Sequence, residues 1–154
     1  MIGRRIDSPV GPLTLRVTDA GARQVKFDGR LPAEVEAGEH PLLDQLEREL
    51  REYFAGTRTE FTVPLDPVGT EFQLRVWERL RAIPFGQTMS YGELAEAVGS
   101  VARAVGGANG SNHLAIVIPC HRVVARDGSL HGFGGGRAVK RWLVDHESPQ
   151  AGLF

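Results

Sequence analysis

The sequence predicts an α+β protein in two lobes. A small N-terminal lobe of strands and one helix covers residues 1–66, and a mostly helical C-terminal lobe covers residues 67–154. Three observations carry this reading. Apolar residues alternate with period two near the N-terminus, they switch to three-and-four spacing from Pro41 onward, and Pro64-Leu65-Asp66-Pro67-Val68-Gly69 forms a linker between the two stretches. A chain of 154 residues can bury a core without disulfide or metal staples.

Residues 4–28 read as strands. After the turn chemistry of Ser8-Pro9-Val10-Gly11-Pro12, Leu13, Leu15 and Val17 alternate with Thr14, Arg16 and Thr18, and Asp19-Ala20-Gly21 turns the chain into Gln24-Val25-Lys26-Phe27. Leu42, Leu43, Leu46, Leu50, Tyr53 and Phe54 then form the apolar stripe of a helix, with Pro41 in its first turn and Gly56 past its end. Residues 59–63 are expected to add a short strand.

The C-terminal lobe opens on a capping box, Thr70-Glu71-Phe72-Gln73, ahead of a helix whose inner face is Phe72, Val76, Leu80 and Ile83 and which stops at Pro84-Phe85-Gly86. A second box, Ser90-Tyr91-Gly92-Glu93, starts a helix with Leu94, Ala95 and Val98 inside. Gly99-Ser100 interrupts it and residues 102–109 form a third helix, giving a helix-turn-helix. Gly106 and Gly107 cost that helix about 1 kcal/mol each relative to alanine. Such small residues suit a backbone that must come close to another helix or to a phosphate chain. Arg103 is the one long basic side chain on this surface. Ala115-Ile116-Val117-Ile118 read as a buried strand that breaks at Pro119 and resumes at Val123-Val124.

Several function classes are excluded early. The longest apolar runs are far too short to span a bilayer, and Met1 is followed by Ile2-Gly3-Arg4-Arg5-Ile6-Asp7 rather than a signal-peptide stretch, so a cytoplasmic location is expected. One cysteine, Cys120, excludes an internal disulfide. The five histidines show no tetrahedral ligand spacing, so no metal is expected. Residues 1–68 carry 9 Lys+Arg against 12 Asp+Glu, and residues 69–154 carry 9 against 7. That modest positive balance in the second half is compatible with nucleic acid without requiring it.

The lone thiol is either a small buried hydrophobe or a nucleophile. His121 beside it and Glu147 at the end of the last helical stretch favour chemistry. A thiol near neutral pH needs a base, and a carboxylate that accepts one imidazole N–H fixes the tautomer and frees the other nitrogen.

Pro119-Cys120-His121-Arg122-Val123, preceded by Ile116-Val117-Ile118, resembles the active-site motif of the O6-alkylguanine-DNA alkyltransferases. Gly69-Thr70-Glu71-Phe72-Gln73, Val76-Trp77, Ile83-Pro84-Phe85-Gly86, Ser90-Tyr91-Gly92, Arg103-Ala104-Val105-Gly106 and Gly134-Gly135-Gly136 follow in that family's order. The resemblance runs over residues 69–148 and, more loosely, over residues 8–66.

It implies a ribonuclease-H-like N-terminal lobe and a C-terminal lobe that binds double-stranded DNA and carries the active-site cysteine loop. The implied function is single-turnover repair without a cofactor, by a monomer: an alkyl group leaves O6 of guanine, or O4 of thymine, for Cys120 after the base is flipped out. In that scheme His121 is the base through a water, Glu147 orients His121, and Tyr91 donates a proton to the leaving guanine. Arg103 fills the space left by the extruded nucleotide, Ala102 and Gly106 allow close approach, and Ser90 and Thr70 also lie at the DNA interface. Asn112 pins the turn before the cysteine segment, and Val123, Phe133, Gly134 and Gly135 line the base pocket. Two alternatives stay open: a turning-over cysteine hydrolase built on Cys120, His121 and Glu147, and a protein that binds lesions without repairing them.

Overall fold

The alternation at the N-terminus becomes three antiparallel strands in the computed structural model, which describes residues 1–33, 35–128 and 135–148. These are β1 (Ile2–Ile6), β2 (Leu13–Thr18) and β3 (Gly21–Lys26). β1 begins ahead of the predicted strand region. Ile2 pairs with Val17 and Ile6 with Leu13, and Leu15 pairs with Val25 across the hairpin. A two-residue strand, β4 (Glu36–Ala37), adds in parallel to β1, giving the order β3-β2-β1-β4. Helix α1 (Pro41–Phe54) packs its Leu43, Leu46, Leu50 and Tyr53 face on this sheet, against buried Leu13, Leu15, Val17 and Val25.

Residues 59–63 are not a strand. The buried carboxylate of Glu49 accepts from the backbone amides of Thr62 and Val63 and from the Thr62 hydroxyl, at 2.7–3.1 Å, so those amides are satisfied by α1 rather than by a neighbouring strand. The chain rejoins the sheet only at Leu65, in an isolated bridge to Ala22.

The chain divides into two compact units, Met1–Val68 with His113–Val117, and Gly69–Asn112 with Ile118–Phe154. In the second, α2 (Glu71–Arg81), β5 (Met89–Ser90), α3 (Tyr91–Val98) and α4 (Ala102–Gly110) are followed by a 3-10 turn (Cys120–Arg122), β6 (Val123–Val124) and α5 (Arg137–Glu147). Both predicted capping boxes form with both of their hydrogen bonds. Helix α3 ends at Gly99, whose left-handed φ of 69° lets Ser100 N–H reach the Ala95 carbonyl at 2.8 Å and close a Schellman turn. Helices α2, α3 and α4 pack on one another around Val76, Trp77, Leu80, Leu94, Val105 and Ala108, and β5 pairs with β6 in parallel.

The apolar run at 114–118 is buried as predicted but is not a strand. Leu114 makes one bridge to Val25, and then the chain curls. Ile116 takes φ 73°, and Val117 N–H bonds the Ala115 carbonyl two residues back. A β-branched residue at positive φ is strained, and burial of its side chain holds it there. No helix among the described residues is long and apolar enough to cross a membrane.

Candidate active site

Pro119 fixes the approach to the thiol. Its φ of −80° and ψ of 65° define an inverse γ-turn, closed by Cys120 N–H to the Ile118 carbonyl at 2.8 Å. One turn of 3-10 helix follows, with Arg122 N–H bonding the Pro119 carbonyl at 3.0 Å, before β6 carries Val123 away buried. Asn109 of α4 and Asn112, two residues past its end, hold this bend from both sides. Asn112 Nδ2 donates to the Ile118 carbonyl at 2.9 Å, and Asn109 Nδ2 to the Cys120 carbonyl at 3.3 Å.

Cys120 is 6% exposed. Burial pushes its thiol above the ordinary cysteine range, against a hydrogen bond from Asn112, the charge of Lys140 and the backbone N–H groups of Cys120 and His121. The resting sulfur is therefore a protonated thiol, ringed by groups that would stabilise a thiolate once the proton leaves.

An imidazole follows it in the chain. His121 is fully buried, and its Nε2 lies 2.7 Å from Glu147 Oε2 at the end of α5. Nδ1 is buried with no hydrogen-bond partner among the described residues. Burial lowers the affinity of His121 for a second proton, more than Glu147 raises it. Burial alone would raise the Glu147 carboxyl, but the hydrogen bond from His121, the charge that ring takes on when protonated in acid, and the fork and charge of Arg122 hold it at about 2. The pair is thus a carboxylate and a neutral imidazole that keeps a lone pair on Nδ1.

Tyr91 is half-buried at the first position of α3, with Lys140 Nζ 5.8 Å from its ring centre. Burial, and then the neighbouring Cys120, raise its phenol further, so the O–H is retained. Lys140 is fully buried, which lowers its ammonium.

The predicted DNA-facing residues sit on the surface of α4 and at the helix starts. Ala102 and Arg103 are exposed in the first turn of α4, a helix without a side-chain N-cap, and Val101 before them is 65% exposed. Thr70, Phe72 and Gln73 of α2 and Val101, Arg103 and Gly107 of α4 border a shallow depression of about 500 Å³. The Ser90 and Thr70 hydroxyls accept from the backbone amides of Glu93 and Gln73, so each serves its helix as a cap. A Cβ placed on Gly107 would meet nothing within 4 Å, and one on Gly106 only Tyr91 Cδ1 at 3.9 Å. Packing among the described residues does not require either glycine. Gly135 lies in the turn before α5; Phe133 and Gly134 fall outside the described residues.

Three side chains that touch this site were not among the predicted residues. Asn109 stands one turn before Asn112, and its amide reaches the cysteine backbone. Lys140 shares the spacing of Leu143 and Glu147 along α5, a signal that it faces inward. Arg122, inside the cysteine motif, bonds both oxygens of Glu147.

Residues 1–67 match the family model described as 6-O-methylguanine DNA methyltransferase, ribonuclease-like domain, and residues 71–149 match 6-O-methylguanine DNA methyltransferase, DNA binding domain. The chain is 46% identical to the methylated-DNA–protein-cysteine methyltransferase of Mycobacterium bovis, over 96% of this chain and 93% of the relative. It is 40% identical to the protein of the same description from Methanosarcina acetivorans, over 92% and 94%. The crystal structure of Mycobacterium tuberculosis OGT in complex with DNA superposes with a TM-score of 0.90 at 43% identity, covering 98% of this chain and 95% of that one. The chain belongs to the 6-O-methylguanine DNA methyltransferase family.

Proposed function

We propose that the protein is a DNA repair methyltransferase that acts once, as a monomer on double-stranded DNA, moving the alkyl group of an O6-alkylguanine onto Cys120. The observation that carries this reading is a buried thiol within a ring of hydrogen-bond donors, next to an imidazole whose Nδ1 has no hydrogen-bond partner among the described residues and whose Nε2 is held by Glu147.

The chemistry follows from those groups. The reacting carbon is saturated and bound to a hard oxygen, and a soft sulfur displaces it in line. The thiol proton passes through one water to His121 Nδ1. The S–C bond forms as the C–O6 bond breaks, and the electron pair stays on O6 and the purine ring. Tyr91, still carrying its proton, donates to the ring as that charge develops, and the proton on His121 makes good the loss. The net change replaces the alkyl group on guanine with the thiol proton. The product thioether resists hydrolysis and no described group can reverse it, so each molecule serves once.

A base inside a duplex is out of reach and must leave the stack, at about a few kcal/mol. Arg103, exposed on α4, fills the vacated space in this reading. Gly106 and Gly107, which packing among the described residues does not require, let the α4 backbone lie against the minor groove. That the Mycobacterium tuberculosis relative was crystallised with DNA supports this assignment.

The test is stoichiometry. With a molar excess of duplex containing O6-methylguanine, restored guanine reaches a plateau of one per protein chain. Continued turnover, or consumption of a small ester in excess of protein, would favour a hydrolase. Binding with no guanine restored would favour lesion recognition alone.

A further inference from the structure

Arg122 is a buried cation that the alkyl-transfer chemistry above leaves unused. It is 6% exposed. Its Nε donates to Glu147 Oε1 at 2.7 Å, its Nη2 to Glu147 Oε2 at 3.1 Å, and its Nη1 to the Ile83 carbonyl just past α2 at 2.7 Å. Its guanidinium carbon lies 5.7 Å from the centre of the Phe85 ring. A two-pronged contact of this kind fixes a carboxylate in angle as well as in distance. Oε2 is also the atom that accepts from His121 Nε2. One carboxylate thus serves an arginine and an imidazole together.

We propose that Arg122 is a positioning residue for the alkyl transfer, acting through Glu147: it holds that carboxylate in one orientation and supplies the positive charge that keeps it ionised while His121 stays neutral. This rests on the reading that Cys120 is the alkyl acceptor.

Among the described residues, the charged or titratable groups facing His121 are Glu147 and Lys140 of α5 and its chain neighbours Arg122 and Cys120. Glu147 favours an imidazolium, whereas Arg122 and Lys140 oppose one. With Arg122 in place the carboxylate is already charge-matched, and Nδ1 keeps the lone pair that accepts the thiol proton. Without the guanidinium, a buried carboxylate is matched only by a proton, taken on itself or drawn onto His121. A doubly protonated ring cannot serve as the base. Loss of Arg122 therefore moves the acid limb of the rate–pH profile to higher pH.

The experiment measures single-turnover methyl transfer from an O6-methylguanine duplex to the full chain, from about pH 5 to about pH 9, for wild type, Arg122→Gln and Arg122→Lys. Arg122→Gln should slow the step roughly tenfold to a hundredfold near neutrality and shift the acid limb upward. Arg122→Lys restores a cation without the fork, so it should recover much of the limb's position and less of the rate. An Arg122→Gln protein with an unmoved limb overturns the proposal. If Arg122→Gln does not fold, nitrogen NMR of the wild type decides: a neutral His121 protonated at Nε2 near pH 7 supports the proposal, and a doubly protonated ring overturns it. If wild type transfers no methyl to Cys120, the functional reading fails separately, and the NMR arm still judges the charge assignment.

Discussion

His121 Nε2 and Glu147 Oε2 lie 2.7 Å apart, and that contact leaves the opposite ring nitrogen, Nδ1, buried and unpartnered among the described residues. Beside a carboxylate the proton belongs on Nε2, which leaves the lone pair on Nδ1; in the proposed reaction that lone pair takes the Cys120 proton. Replacing the base should slow the chemical step without touching DNA affinity. His121→Ala is expected to lower the single-turnover rate roughly a hundredfold or more, and Glu147→Gln by about tenfold or more. The dissociation constant for lesion-bearing duplex should change little. Measuring rate and affinity separately checks this, and an equal loss in both would place His121 at the DNA surface instead.

Stability should fall as the solution is acidified, in two stages. Burial depresses the His121 proton affinity in the folded state, so below about pH 6.5 the unfolded chain binds a proton that the folded chain refuses. Glu147 is held at about 2, so its contribution is complete above about pH 4.3 and drains away as the pH falls toward 2. That second contribution is on the order of 3 kcal/mol. Urea midpoints at pH 7, 5.5 and 4 follow the decline. Glu147→Gln should flatten the lower stage, and a midpoint that rises on acidification would contradict the assignment.

Gly107 separates stability from DNA contact. Because no neighbouring atom would meet its Cβ, Gly107→Ala should raise folding stability by about 0.5–1 kcal/mol through helix propensity. The same methyl would stand between α4 and a phosphate backbone, so duplex affinity should drop while reaction with the free O6-alkylguanine base is preserved. Thermal unfolding and a duplex titration on one preparation test both halves.

Ser90 carries a cap as well as a place at the expected DNA interface. Its hydroxyl accepts from Glu93 N–H at 3.0 Å. Ser90→Ala should cost about 1 kcal/mol of stability with no DNA present. Ser90→Asp keeps the cap, and should hold stability but weaken binding wherever the side chain meets phosphate. Unchanged affinity in Ser90→Asp would assign the residue to the helix alone.

Local patterns in the sequence reach far but stop at tertiary partners. Both capping boxes, the α1 stripe from Leu43 to Tyr53 and the Leu13–Val17 alternation depend on near neighbours in the chain, and all are legible there. The pairing of His121 with Glu147 was legible as chemistry, since a lone thiol needs a base and a base needs an orienting acid. The run at 114–118 misleads because burial makes a sequence apolar whatever its backbone does, and Ile116 curls where a strand would run straight. Glu49 shows the same limit: the Thr62 and Val63 amides that it captures lie thirteen and fourteen positions further along, and the sequence between carries no trace of the contact. Arg122 reads as one more basic residue until Glu147, brought back by α5, gives it a partner. The glycines of α4 are ambiguous in sequence between helix packing and an external backbone, and among the described residues no atom stands within 4 Å of a Cβ on Gly107.

The account stands or falls on where the alkyl group ends up. Intact-mass measurement followed by peptide mapping, after mixing the protein with an equimolar O6-methylguanine duplex, should show the added mass of one CH₂ on the peptide carrying Cys120 and on no other, with none in Cys120→Ala. An unmodified Cys120 peptide, despite guanine having been restored in the DNA, would contradict it.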